Sequence, residues 1–265
     1  MRRILGLVIA AAVGGPVMAA DLSRPPLLRA PPAYAPAFSW TGTYVGANLG
    51  GVWGTFDFNP VTMNNLTGAL SAPGSVSVSN NSLIGGFQAG YNWQIGQWVL
   101  GLEQDFQFTG LKPSFAFAAP AGFFLAGDAM SVKTDYLSAT RAKLGLAWDR
   151  AMIYVAGGLE TAELDVTSTY VTRGAGGSPA LGFTDAHKLH FGFNVGGGID
   201  YAVTNNVFVG VEYRYFDVGK ETYNLGAFTP AGGAAQTVSS TVGLKASEVT
   251  ARLNLKLNGL GLFGL

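Results

Sequence analysis

The chain contains no cysteine, which excludes a disulfide framework, a thiolate metal site and a cysteine nucleophile. Charge is scarce too. Asp, Glu, Lys and Arg make up 12% of the 265 residues, about half of the roughly 25% usual in soluble domains. A soluble surface for a chain this size needs more charge than that. The sixteen basic and sixteen acidic residues cancel, so neither a basic nucleic-acid footprint nor an acidic tail is present. Beyond the first twenty residues no run reaches the roughly 20 apolar residues of a spanning helix. G-x-S-x-G, H-E-x-x-H and the P-loop pattern are also missing. The two histidines, His187 and His190, are three apart and fall on opposite faces of a strand, so that spacing cannot build one metal site. These absences point away from an enzyme, and no catalytic residue, metal ligand or cofactor is expected.

Glycine and phenylalanine are plentiful, with 38 and 17 copies. Arg2 and Arg3 precede an apolar stretch at 4–13, and Val17-Met18-Ala19-Ala20 supplies small residues. Residues 1–20 therefore read as a secretory signal, cut after Ala19 or Ala20. Residues 21–38 hold RPPLLRAPPAYAPA, too proline-rich for a helix or a sheet ladder, and are expected to form an extended periplasmic tail.

The remainder alternates with period two. Eight apolar/polar segments fall near 40–54, 82–94, 97–108, 133–148, 151–165, 187–202, 206–217 and 246–257. Tight turns at 94–97, 148–151 and 203–206 alternate with long Gly/Ser/Ala/Pro-rich connections at 55–81, 109–132, 166–186 and 218–245. That plan predicts an all-β fold: an eight-stranded antiparallel up-and-down transmembrane barrel over 39–257. Its short turns face the periplasm, its four long loops face outside, and 258–265 forms a C-terminal extension.

The strand VFVGVEYRYF poses the question of which face looks where. Val209, Val211, Tyr213 and Tyr215 share one face; Phe208, Gly210, Glu212 and Arg214 share the other. A lipocalin-like soluble barrel would turn the apolar face inward. Large aromatics near both strand ends would crowd so narrow an interior, and the polar faces are too glycine-rich for a soluble exterior. The apolar face is therefore expected to meet lipid. A network of Glu103, Asp105, Glu160, Asp200 and Glu212 with Arg141, Lys143, Arg214, Arg252 and Lys256 is then expected to fill the lumen, because an unpaired charge there costs several kcal/mol. Trp93, Trp98, Trp148, Tyr201 and Phe208 lie beside the tight turns and are expected at the periplasmic membrane interface.

FSWTGTYVGANLGG, LIGGFQAGYNWQIGQWVLGLEQDF, RAKLGLAWDRAMIYVAGGLE and VFVGVEYRYFDVG resemble the small porin-family outer-membrane surface proteins of alphaproteobacteria, related to RopB and to the major surface antigens of Brucella. The resemblance covers most of 38–257, the long loops excepted. It implies an OmpA-like eight-stranded barrel, a structural or surface role in the cell envelope and no enzymatic activity. A small porin with limited diffusion is the alternative, and an outer-membrane enzyme a more distant one. The resemblance also implies a last strand ending in an aromatic that the barrel-insertion machinery reads. Here VTARLNLKL ends at Leu257, followed by NGLGLFGL with Phe263. Expected partners are outer-membrane lipid, lipopolysaccharide and that machinery, with peptidoglycan or a host surface as further contacts of the tail and loops.

Overall fold

The computed structural model describes residues 38–59, 62–63, 75–116, 127–169, 183–228 and 236–257. The expected signal at 1–20, the tail up to residue 37 and the extension at 258–265 lie outside them. Among the described residues ten strands form one antiparallel sheet: β1 (Gly42–Phe58), β2 (Thr62–Met63), β3 (Val76–Ile95), β4 (Trp98–Leu111), β5 (Ser114–Ala116), β6 (Ala129–Trp148), β7 (Ala151–Thr169), β8 (Phe183–Ala202), β9 (Val207–Phe228) and β10 (Gln236–Lys256). Eight of them are long and pair in the order β1-β3-β4-β6-β7-β8-β9-β10. β10 then pairs with β1, Tyr44 facing Lys256 and Phe58 facing Val242. That last pairing closes the ring and leaves no open edge among the long strands. The short β2 and β5 extend β10 and β6.

Turns at Gly96–Gln97, Asp149–Arg150 and Val203–Asn206 close one end of the ring, the end expected to face the periplasm. Gly96 and Asp149 take positive φ, 62° and 50°, a conformation open to glycine and tolerated by Asp. All three turns coincide with those expected from turn chemistry.

At the opposite end the strands outrun the expectation. β9 continues to Phe228 and β10 begins at Gln236, well inside the segment read as a loop. With 22 residues, β9 is about 70 Å long at ~3.3 Å per residue. At a tilt near 40° it rises about 55 Å, roughly twice the ~25 Å apolar band of an outer-membrane barrel. The wall therefore continues above that band, and its polarity reverses as it does so. Lower on β9, Val211 and Tyr213 face out while Glu212 and Arg214 are buried. Higher up, Phe216, Val218, Tyr223 and Leu225 are buried instead.

β-Bulges accompany the reversal. Gly219, at φ 73°, lies where the β9–β10 register shifts between Gly243 and Lys245. A second register shift separates Thr134 from Leu137 on β6. Each bulge inserts one residue and flips which alternate residues face inward.

Candidate functional site

The lumen is filled in three layers. At the mouth closed by the tight turns, Phe38 and Trp40 precede β1 and fold into the barrel, where they pack with Tyr44, Val99, Met152, Tyr154 and Phe208. Trp40 Nε1–H donates to the Asp149 carbonyl (3.1 Å), and its backbone N–H to Gln94 Oε1 (2.7 Å). Phe208 meets Trp40 and Tyr44 edge-on, with centroids 5.4 and 5.3 Å apart. Two expectations are corrected here. Phe208, expected at the membrane interface, is 1% exposed, because its alternation with Val207 and Val209 turns it into the lumen. Phe38, assigned to the periplasmic tail, belongs to the barrel plug.

The middle layer is ionic. Glu103 on β4 and Arg141 on β6 face each other across the ladder and are in direct contact. Arg141 also reaches Glu212 on β9 (2.5 Å) and Asp105 (3.3 Å). Arg252 on β10 contacts both Glu103 and Glu212. Lys143 lies 3.3 Å from Glu103 and 3.9 Å from Asp200. Arg214 gathers Asp105 (3.0 Å), Glu248 (2.5 Å) and Glu160 (3.6 Å). Arg141–Glu212, Lys143–Asp200, Arg214–Asp105, Arg214–Glu160 and Arg252–Glu103 join non-adjacent strands, so the layer cross-braces the barrel.

Tyr44 and Tyr154 donate their hydroxyls to Glu103 (2.6 Å) and Glu212 (2.7 Å). An amide chain continues the network: Gln107 to Asn48 (3.0 Å), Asn48 to Gln88 (2.7 Å) and Gln88 to Asn254 (2.8 Å). Room for these long side chains comes from glycine. A Cβ on Gly90 would stand 2.5 Å from the Tyr44 hydroxyl, and one on Gly210 only 2.0 Å from Asp200 Oδ1.

Among the described residues the layer joins four cations to six carboxylates, one more acid than expected: Glu248. Its signal was in the sequence, since Glu248, Thr250, Arg252 and Asn254 share one parity. Glu160 and Asp200 carry the excess. Their oxygens accept no hydrogen bond in the described structure, and their cations stand at 3.6 and 3.9 Å. Lys256 is the other correction. It sits below the layer, bonded to the Ser39 carbonyl, 4.9 Å from the centre of the Phe38 ring.

The upper layer is apolar. Val52, Phe56, Ile84, Leu111, Leu137, Leu164, Phe216 and Leu244 are buried together. His190 and Tyr223 join it through an Nε2 to hydroxyl hydrogen bond of 2.8 Å, and the Tyr223 hydroxyl donates to the Leu164 carbonyl (3.0 Å).

Outside, the band level with the ionic layer is apolar: Leu49, Phe87, Leu102, Leu159, Ile199, Val211 and Leu253 are exposed. Trp93, Trp98, Trp148 and Tyr201 stand exposed beside the tight turns. Towards the other end lie Phe106 and Phe108, with Phe106 stacked on Tyr136 at 5.8 Å.

A closed ring with an apolar outer band and an ionic interior is the inside-out arrangement of a membrane-spanning β-barrel. The outer membrane protein beta-barrel domain matches residues 7–254, and the chain belongs to that family. It is 35% identical over 224 residues to the 31 kDa outer-membrane immunogenic protein of Brucella melitensis biotype 1, covering 83% of this chain and 88% of that one. The 22 kDa outer membrane protein of Rhizobium leguminosarum bv. viciae is 26% identical over 212 residues, covering 79% and 80%. Among solved structures, Neisserial surface protein A aligns at TM-score 0.37 and 16% identity, covering 82% of this chain and 98% of that one. The protein is an outer-membrane barrel related to outer-membrane proteins of Brucella and Rhizobium.

Proposed function

We propose that the barrel is a plugged, non-enzymatic wall element of the cell envelope, which stabilises the outer membrane and presents its four loops outside. The observation that carries this reading is the filled lumen: an aromatic plug, an ionic layer and an apolar layer lie in series along one narrow barrel. Eight strands enclose an interior about wide enough for side chains to fill, and here side chains of all three kinds occupy it. The immunogenic character in the names of the Brucella relatives supports surface display of the loops. The exposed aromatics near the two ends are read as anchors at the two membrane interfaces, with lipopolysaccharide as the outer partner and the barrel-insertion machinery as the assembly partner.

Single-channel recording in a planar bilayer tests the reading. The protein should fold, as checked by the gel shift between unheated and heated samples, and stay silent. Steady conductance steps, altered in size by a Glu212→Gln/Arg214→Gln variant, would overturn it and make the ionic layer the lining of a pore.

A further inference from the structure

Above the apolar band the outer wall is not uniform. Around β6 to β10 it carries ion pairs: Lys133 with Asp135, Lys188 with Glu221 (3.6 Å) and Lys245 with Asp217 (3.6 Å). On the β1–β3 side the outward residues Thr55, Ser77, Ser79 and Asn81 are uncharged, with Asp57 beside them and Lys245 opposite Thr55 across the β1–β10 ladder. Here a pocket of about 250 Å³ opens on the outside, lined by Trp53, Gly54, Thr55, Ser79, Asn80 and Asn81.

Trp53 is 53% exposed. Its benzene edge lies 3.4–3.9 Å from where a Cβ on Gly51 would stand, so the ring leans over a residue that has no side chain. Thr55 Oγ1 and Ser79 Oγ are 3.3 Å apart, and Asn81 faces Trp53 across the β1–β3 ladder. The neighbouring carboxylate, Asp57, accepts the Ser77 hydroxyl at 2.7 Å.

The height of the pocket is also fixed. Trp53 pairs with Ser247, and Ser247 with Tyr215. Immediately below, the outward side chains are Leu49, Leu83 and Val249; immediately above, they are hydroxyls. The pocket therefore straddles the boundary between hydrocarbon and headgroups. An interfacial tryptophan on its own needs only lipid. This one fronts a pocket walled by neutral hydroxyl and amide groups.

We propose that this pocket is a saccharide subsite for the headgroup sugar of an outer-leaflet glycolipid. An exposed indole face carries the negative side of the ring quadrupole and suits the C–H face of a pyranose. Thr55, Ser79 and Asn81 supply both donors and acceptors for sugar hydroxyls. The inference deepens the wall reading by naming where the glycolipid docks. It is read by a different signal from conductance, so a conducting barrel would sink the wall and leave the subsite to stand or fall separately.

The test labels the tryptophan indoles with ¹⁵N in the full-length folded protein, held in nanodiscs of phosphatidylcholine. Three additions are compared: lipopolysaccharide, phosphatidylglycerol to match its charge without sugar, and a free neutral oligosaccharide. The Trp53 resonance should move with lipopolysaccharide beyond any movement of Trp93, Trp98 and Trp148, and should stay put with phosphatidylglycerol. Asn81→Ala and Ser79→Ala, both on the exposed wall, should diminish that movement while the gel shift shows intact folding. Movement with the oligosaccharide as well as with lipopolysaccharide supports the subsite; movement with the oligosaccharide alone overturns the glycolipid assignment. Equal movement at all exposed indoles, equal movement with phosphatidylglycerol, or no movement at all overturns the proposal.

Discussion

Arg214→Met is the sharpest probe of the ionic layer. Arg214 is 1% exposed. Its Nε donates to Glu248 (2.8 Å), Nη1 to both Asp105 oxygens (3.0 and 3.3 Å) and Nη2 to Gln107 and Glu248. Methionine keeps much of the volume and removes every one of these bonds. Glu248 then loses its only ion-pair partner among the described residues, and Asp105 retains only Arg141. Removing one partner of a buried pair costs about 3–5 kcal/mol, because the other charge stays buried. With a urea slope of about 2 kcal/mol per molar, the unfolding midpoint should fall by roughly 1.5–2.5 M. The assay is urea unfolding of the protein in lipid vesicles, followed by the unheated-versus-heated gel shift. Arg214→Lys should lie between, since a point charge keeps the Coulomb attraction but not the planar fork. Adding Glu248→Gln to Arg214→Met should recover part of the loss. A loss below about 1 kcal/mol, the size of an exposed ion pair, would mean that water screens the layer, and the dry cross-brace would have to be abandoned.

Glu160→Gln should behave in the opposite way. It removes one of two excess carboxylates, which accepts no hydrogen bond, so stability should hold or rise in the same urea assay. Gly86→Ala should be strongly destabilising, because the added Cβ would stand 1.9 Å from the Phe106 carbonyl oxygen; loss of the unheated gel form checks this. Leu253→Arg places a charge on the apolar outer face and should cost about 2–4 kcal/mol, whereas Thr241→Arg, higher on β10, should be nearly neutral. Trp40→Ala should cost about 3–5 kcal/mol yet leave the bilayer silent, since the ionic and apolar layers above it remain.

Most of the lower barrel could be read from period-two alternation alone. The strands and the inward parity of Glu103, Asp105, Arg141, Lys143, Glu160, Asp200, Glu212, Arg214 and Arg252 come from it, and the three tight turns from their turn-forming residues. Where a second cue competed, parity won. Phe208 lies beside a turn, which suggested an interface ring, but it shares parity with Glu212 and is buried. Lys256 also has inward parity, yet parity says nothing of height, and the residue falls below the ionic layer. Trp40 opens the segment expected at 40–54 and shares the inward parity of Tyr44, but alternation does not say that it precedes β1 and plugs the mouth. Pairs such as Arg141 with Glu212 depend on the curvature of a closed ring, which no local pattern encodes. The upper strands were hidden for another reason. At Gly219 a bulge shifts the phase, so Tyr223 and Leu225 continue the buried row at odd positions after Phe216 and Val218 at even ones. A reader holding one phase sees a loop.

The same reversal explains why one wall can carry opposite chemistries along its length. Within the membrane the outside gains nothing from being buried in protein, since lipid is as apolar as leucine. The outer face must therefore be apolar, and the lumen is free to be ionic so long as its charges are paired. Above the membrane the outside meets water and polar headgroups, so burial of apolar area has to come from the inside, where Phe56, Ile84, Leu164 and Leu244 supply it. The change of sign thus marks the level of the membrane surface on the barrel itself. Two of the sheet's bulges fall near it, at Asp135–Tyr136 close to the outer aromatic Phe108 and at Val218–Gly219 just above Tyr215. A bulge resets which residues face inward, so the strand above it can follow a pattern independent of the one below. The Trp53 pocket opens at that same level, where the wall first offers hydroxyls to the outside.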